Sequence, residues 1–207
     1  MFDQQIKNVD GSGFGNKDYF LSKCREYGLN IDEIHLFTGS SAELSISFSK
    51  NENLNLFRLF SIDGGHTKDL TFNDLSIATF NLASGGIIIL DDVTNIDSWP
   101  GVIEGMLSWF TMFPGEFGPF FVGHNKVFIA SKEYHEIYYS LLISHPFWSK
   151  YLSSEPITNK NPHKSPLSGK NKYTWGGFSY LKLITSPSLR DIRQEWSNNI
   201  NIVSDII

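Results

Sequence analysis

Cysteine occurs once in the 207 residues, at Cys24, so the chain can form no disulfide within itself and no thiolate-based zinc site. That lone thiol falls in a stretch with helical spacing and reads as a packing side chain. Long apolar runs are also lacking: none approaches the roughly 20 residues that span a bilayer, and no charged-then-apolar leader opens the chain. Positive charge is scarce. Lys and Arg number 17 against 22 Asp and Glu, and the net charge of −5 argues against a broad nucleic-acid surface. Internal repeats are absent as well. These absences leave a soluble, cytoplasmic protein as the expectation, one domain with a tail, acting on small molecules rather than on nucleic acid or membrane.

What is present begins with a glycine run. "NVDGSGFGN", Asn8 to Asn16, has the look of loops that cradle nucleotide cofactors. Such a loop must follow a buried strand, so that its amides and the next helix N-terminus face the ligand. The preceding "MFDQQIK" is polar and does not alternate. A helix does follow, "NKDYFLSKCREYG", closed by Gly28. A turn entering a helix therefore accounts for the run better than a cofactor loop does.

From residue 33 the pattern alternates. "EIHLF" (33–37) reads as a strand, "SAELSISFSK" as a helix and "NLFRLFSI" (55–62) as a strand ending at "DGGH". Residues 67–83 read as a helix with Leu75, Ala78 and Leu82 on one stripe. "IIIL" (87–90) has the unbroken apolar character of a parallel strand buried on both faces. "DDVTN" and a Trp-Pro-Gly turn then open the helix "VIEGMLSWFTMF". This is the grammar of a doubly wound α/β sheet. Past Pro114, "GPFFV" and "KVFIAS" joined by "GHN" predict an antiparallel hairpin on the sheet's edge. "KEYHEIYYSLLI" predicts a helix with Tyr134, Ile137 and Leu141 in register. From His145 on, a loop-rich extension holds a late strand in "TWGGFSYLKLIT" and a short helix in "SLRDIRQEW". The division is thus 1–144 for the α/β domain and 145–207 for the extension.

Ligands of doubly wound sheets bind at the carboxyl ends of the strands. Asp63 ends one strand and Asp91–Asp92 another, 28 residues on (91 − 63). Adjacent strands lie about 4.8 Å apart, so these carboxylates can share a hard cation such as Mg²⁺ (or Mn²⁺). His66, three residues past Asp63, would sit at the rim and accept a proton from a hydroxyl acidified by the metal. Simpler roles compete: Asp63 or Thr67 as a helix cap, Asp91–Asp92 as a polar strand end, His66 as a surface imidazole. Trp99 reads equally as a substrate platform or as the anchor of a helix start. His124 tips the hairpin, as a pocket lining or a solvated turn. His35, His135, His145 and His163 have no partners at metal-ligand spacing.

The stretch "FSIDGGHTKDLTFNDLSIATFNLASGGIIILDDVTNIDSWPGVIEGM" resembles the carboxyl half of class I S-adenosylmethionine-dependent methyltransferases. It is most similar to metal-dependent O-methyltransferases acting on sugars and small molecules, with I-D-G-x-H, G-G, D-D and W-P-G-V in that order. "FFVGHNKVFIAS" is similar to the hairpin those enzymes carry after the fifth strand, and the likeness extends over roughly residues 2–142. It implies a Rossmann-like fold, mostly parallel with a C-terminal antiparallel hairpin. It also implies Ser41, Asp63 and Gly64 as cofactor-binding residues, Asp63, Asp91 and Asp92 as metal ligands, and His66 as the catalytic base. Two departures stand out. Ser40 replaces the aspartate of the family's Gly-Asp-Ser turn, and the first strand with its glycine loop has no counterpart. A longer protein, a second copy, a partner chain or re-paired strands would each fill that gap. The expectations that follow are an O-methyltransferase or a truncated form of one, an inactive methyltransferase-like binding module, or a metal-dependent hydrolase using the same Asp/His set.

Overall fold

The computed structural model describes residues 17–46, 56–153, 174–175 and 178–183, together with Gln194. Four helices are present among them: α1 (Lys17–Glu26), α2 (Lys68–Asn81), α3 (Pro100–Met112) and α4 (Lys132–Ser144). The strands are β1 (Phe57–Ile62), β2 (Leu82–Leu90), β3 (Phe117–Gly123), β4 (Lys126–Ser131), β5 (Leu152–Ser153), β6 (Thr174–Trp175), β7 (Phe178–Ser179) and β8 (Leu181–Leu183). Six of them form one open sheet in the order β1-β2-β4-β3-β8-β5, while β6 and β7 pair apart.

The protein is α/β, as the alternation predicted, but the sheet is mixed rather than mostly parallel. Only β1–β2 and β3–β8 run parallel; β2–β4, β4–β3 and β8–β5 are antiparallel. The expected hairpin is β3–β4, and it lies inside the sheet instead of at its edge. Its second strand folds back against β2, and β8 extends it on the far side. Residues beyond 145 therefore contribute two strands to the same sheet.

The helices form where their sequences provide caps and apolar spacing. Thr67 opens α2, its hydroxyl accepting from the Leu70 amide at 3.4 Å, and Leu75 and Ala78 on one stripe are fully buried. Pro100 sits in the first turn of α3, where a missing N–H costs nothing. Leu75, Ala78, Met106 and Trp109 pack with Ile88, Leu90, Val127 and Ile129 as the core. Trp109 is fully buried and donates its indole N–H to Thr79 Oγ1 at 3.1 Å, so its polar atom is satisfied inside the apolar cluster.

Several local expectations change. Residues 34–38 adopt no regular element, and Ser41–Glu43 form only a 3₁₀ turn. The proposed helix 41–50 and the glycine run 8–16 extend into or lie within residues outside those described, as do most of 188–196. In β2, Ile88 and Leu90 are buried whereas Ile87 and Ile89 are half-buried, so one face of the strand is sealed and the other only partly. In α4 the predicted stripe holds at Tyr134, which is half-buried against β2, and fails at its other two members. Ile137 and Leu141 are exposed and His135 is the buried residue, its Nε2 hydrogen-bonding the Pro119 carbonyl at 2.9 Å.

Candidate metal centre

Register brings the two acidic strand ends together. In the parallel pair β1–β2, Ile62 stands opposite Leu90, and the Asp91 amide donates to the Ile62 carbonyl at 3.0 Å. The chain past each strand thus leaves from one rim of the sheet. Asp63, His66 and Asp92 meet there, each offering one ligand atom, and those atoms lie within 4.8 Å of one another.

Asp92 is held from two sides. Its backbone is left-handed, φ +58°, a conformation that Asp tolerates better than most residues. Oδ1 accepts from Asn125 Nδ2 at 3.0 Å, while Oδ2 faces His66 Nε2 at 3.1 Å. Asn125 belongs to the two-residue turn of the β3–β4 hairpin. The same turn takes the Val93 amide on its Asn125 carbonyl at 2.9 Å and the Thr94 hydroxyl on its His124 carbonyl at 3.3 Å. The hairpin tip is thereby a clamp on the loop that follows β2.

His66 is placed by packing. Its ring stacks on Trp99, centroids 4.2 Å apart and planes 23° from parallel. Of the two readings of Trp99 the geometry matches the anchor of a helix start, since it is the N-cap residue of α3, and its ring face is taken up by the imidazole. Gly101 explains how α3 comes so close, because a Cβ there would stand 2.5 Å from the His66 carbonyl oxygen. The His66 side chain is only 13 % exposed, and Nε2, though near Asp92, has no well-aligned hydrogen bond. A buried nitrogen in that state is costly unless something else occupies the gap.

Asp91 does not join the cluster. Its Oδ1 accepts its neighbour's amide at 2.8 Å and its Oδ2 is paired with Lys126. Helix capping falls to Thr67, which leaves Asp63 exposed and uncommitted to that role.

The residues associated with cofactor binding also converge. Ser41, Asp63 and Gly64 line one small cleft of about 280 Å³ beside the carboxylates, closed behind by Leu44, Phe60 and Ile77. Asp74 of α2 is a further member that sequence reasoning missed. Its burial holds the carboxyl above the ordinary value of 3.8, an effect opposed by hydrogen bonds with the Ser41 and Asn73 side chains. A Cβ on Gly64 would stand 2.9 Å from its Oδ2. The signal for Asp74 was faint: a polar residue one place before Leu75 on an otherwise ordinary amphipathic helix.

The donor set is two carboxylates and an imidazole, oxygen and nitrogen ligands with no thiolate among them. None of the described helices is long and apolar enough to cross a membrane. The chain matches no protein-family model and no curated protein.

Proposed function

We propose that this chain is a metal-assisted O-methyltransferase domain, using S-adenosylmethionine to methylate a hydroxyl of a sugar or other small molecule. The observation that carries the reading is the meeting of Asp63, His66 and Asp92 within 4.8 Å at the open end of a parallel strand pair. The adjoining cleft, with Ser41, Asp63 and Gly64 in its wall, supports a cofactor site contiguous with them. The hairpin beside the parallel pair supports the Rossmann-like family resemblance.

In this reading Asp63 and Asp92 hold the cation. When bound, S-adenosylmethionine would supply the methyl, its S–C bond breaking as the O–C bond forms and the neutral thioether leaving, and a divalent ion would lower the pKa of the hydroxyl. The chain's own residues orient and move the proton. Trp99 fixes the imidazole plane, Asp92 Oδ2 faces Nε2, and that nitrogen would accept the proton of the acceptor's hydroxyl. Asn125 keeps Asp92 turned toward the site through Oδ1.

A second reading has a specific observation behind it. The cleft of about 280 Å³ lies at the small end of the ~300–1,000 Å³ usual for ligand sites, and a metal-binding module that takes up no organic cofactor needs no larger one. Calorimetry separates the two. Heat with both Mn²⁺ and millimolar S-adenosylmethionine supports the transferase. Heat with Mn²⁺ alone supports the module, and no heat with Mn²⁺ removes both. His66→Gln tests the base: the transferase reading requires near-unchanged Mn²⁺ affinity with methyl transfer lost. A fall in metal affinity of about 100-fold or more, the loss expected for a ligand such as Asp92, would make His66 a ligand instead.

A further inference from the structure

A second, larger cavity lies where α3 faces the hairpin and β8, with Val93 and Thr94 of the loop after β2 in its wall. It measures about 640 Å³. One wall is the α3 face formed by Ile103, Met106 and Phe110, and the floor is Pro119, Val122 and Val127 of β3 and β4. That volume is in the middle of the ~300–1,000 Å³ range of small-molecule sites, and the wall is of the apolar kind that binds organic molecules in preference to water.

Polar groups are confined to the rim. Thr94, His124, Tyr180 and Lys182 stand there, and among the described residues that line the cavity there is no carboxylate, although the chain as a whole is acidic. The rim is also fixed in advance. The Val93 amide and the Thr94 hydroxyl both bond to the hairpin turn, and His124 is held with φ +52° at that turn's first position. Pre-set walls reduce the ordering cost of binding.

We infer that this cavity is a binding site for a mainly apolar organic molecule, ring-sized or branched, carrying one anionic group directed to the His124–Lys182 rim. None of Asp63, His66 and Asp92 lines this cavity, although its Val93–Thr94 side directly follows Asp92 in the chain.

The test uses the full chain and two fluorescent probes of similar body, anionic 1-anilinonaphthalene-8-sulfonate and neutral N-phenyl-1-naphthylamine. Both are expected to bind with one site per chain. Val122→Trp, which fills the cavity from the sheet, should weaken both by about tenfold or more, and Ile103→Trp should do the same from the helix. Lys182→Ala should weaken the anionic probe about fivefold and leave the neutral one unchanged. Leu59→Lys, at an exposed apolar position on β1, should alter neither. Circular dichroism identifies any variant that fails to fold, and the other filling variant then gives the reading. Unchanged affinity in a folded filling variant, several weak sites per chain, or loss of binding in Leu59→Lys would overturn the site. Equal loss of both probes in Lys182→Ala, or no loss of the anionic one, would overturn the anion assignment.

Discussion

Asp92 and Asp91 are neighbours with opposite fates, and the difference decides which substitution matters. Asp92 faces His66 with one oxygen and Asn125 with the other, whereas Asp91 is spent on Lys126 and a backbone amide. Asp92→Ala is therefore expected to cut Mn²⁺ affinity by about 100-fold or more in a calorimetric titration. Asn125→Ala should cost about 10-fold, as removal of an orienting partner does. Asp91→Ala should stay within about fivefold, because its partner Lys126 is 42 % exposed and such pairs contribute little. The acidic strand ends were legible in the sequence, since a strand followed by Asp at a sheet's carboxyl edge is a local pattern. Which of the two adjacent carboxylates turns inward was not. It depends on a left-handed φ at Asp92 and on Lys126 and Asn125, which lie more than 30 positions along the chain. Asp74 supplies a pH signature of its own. Burial raises its carboxyl pKa, so the folded chain binds that proton more tightly than the unfolded one. Stability on this account is highest below the ordinary value of 3.8 and falls as pH rises through the raised native value. Asp74→Asn should abolish that slope and raise the melting temperature at neutral pH; an equal pH profile for mutant and parent would show that Asp74 carries no such strain.

At the scale of elements, the contact between α2 and α3 positions His66 and Trp99. It depends on two glycines in "WPGVIEG": a Cβ on Gly101 would meet the His66 carbonyl at 2.5 Å, and one on Gly105 the Lys68 carbonyl at 2.6 Å. Neither obstacle is a flexible side-chain end, so a methyl group there must push the helices apart. Gly101→Ala is expected to destabilise the fold by about 1–3 kcal/mol in urea unfolding and to weaken Mn²⁺ binding as well. Stability loss with metal affinity intact would mean that the helix contact does not set the site. The helices themselves were readable because caps and stripes are local: Thr67 before α2, Pro100 at the start of α3, Leu75 and Ala78 at helical spacing. The failures were of tertiary origin. "EIHLF" has strand composition but does not pair in the sheet, and α4 presents His135 inward because the Pro119 carbonyl there offers a partner that an aliphatic side chain cannot use.

For the whole molecule, the sheet order sets what a bound cation would do. The α/β class followed from periodicity, yet the mixed topology did not, because nothing in "GPFFVGHNKVFIAS" states which side of the hairpin meets β2. Once β4 is seated there, its turn clamps the Asp92 loop, while Asp63 arrives from β1, the sheet's edge strand among the described residues. Among the described residues β1 has a single strand partner, and Leu59 on it is 57 % exposed. A cation shared by Asp63 and Asp92 would tie this weakly held edge, and the start of α2 beyond it, to the interior of the sheet. Binding only the folded state at 100 times Kd adds about 2.7 kcal/mol. For a chain of this length that corresponds to a rise in Tm of about 5–10 °C. Saturating Mn²⁺ should produce such a rise, EDTA should reverse it, and Asp92→Ala should eliminate it. Hydrogen exchange locates the effect: amides of β1 and the first turn of α2 should gain protection on metal addition, with β3 and α4 little changed. A Tm rise with uniform protection, or one that persists in Asp92→Ala, would place the ion elsewhere on this acidic chain.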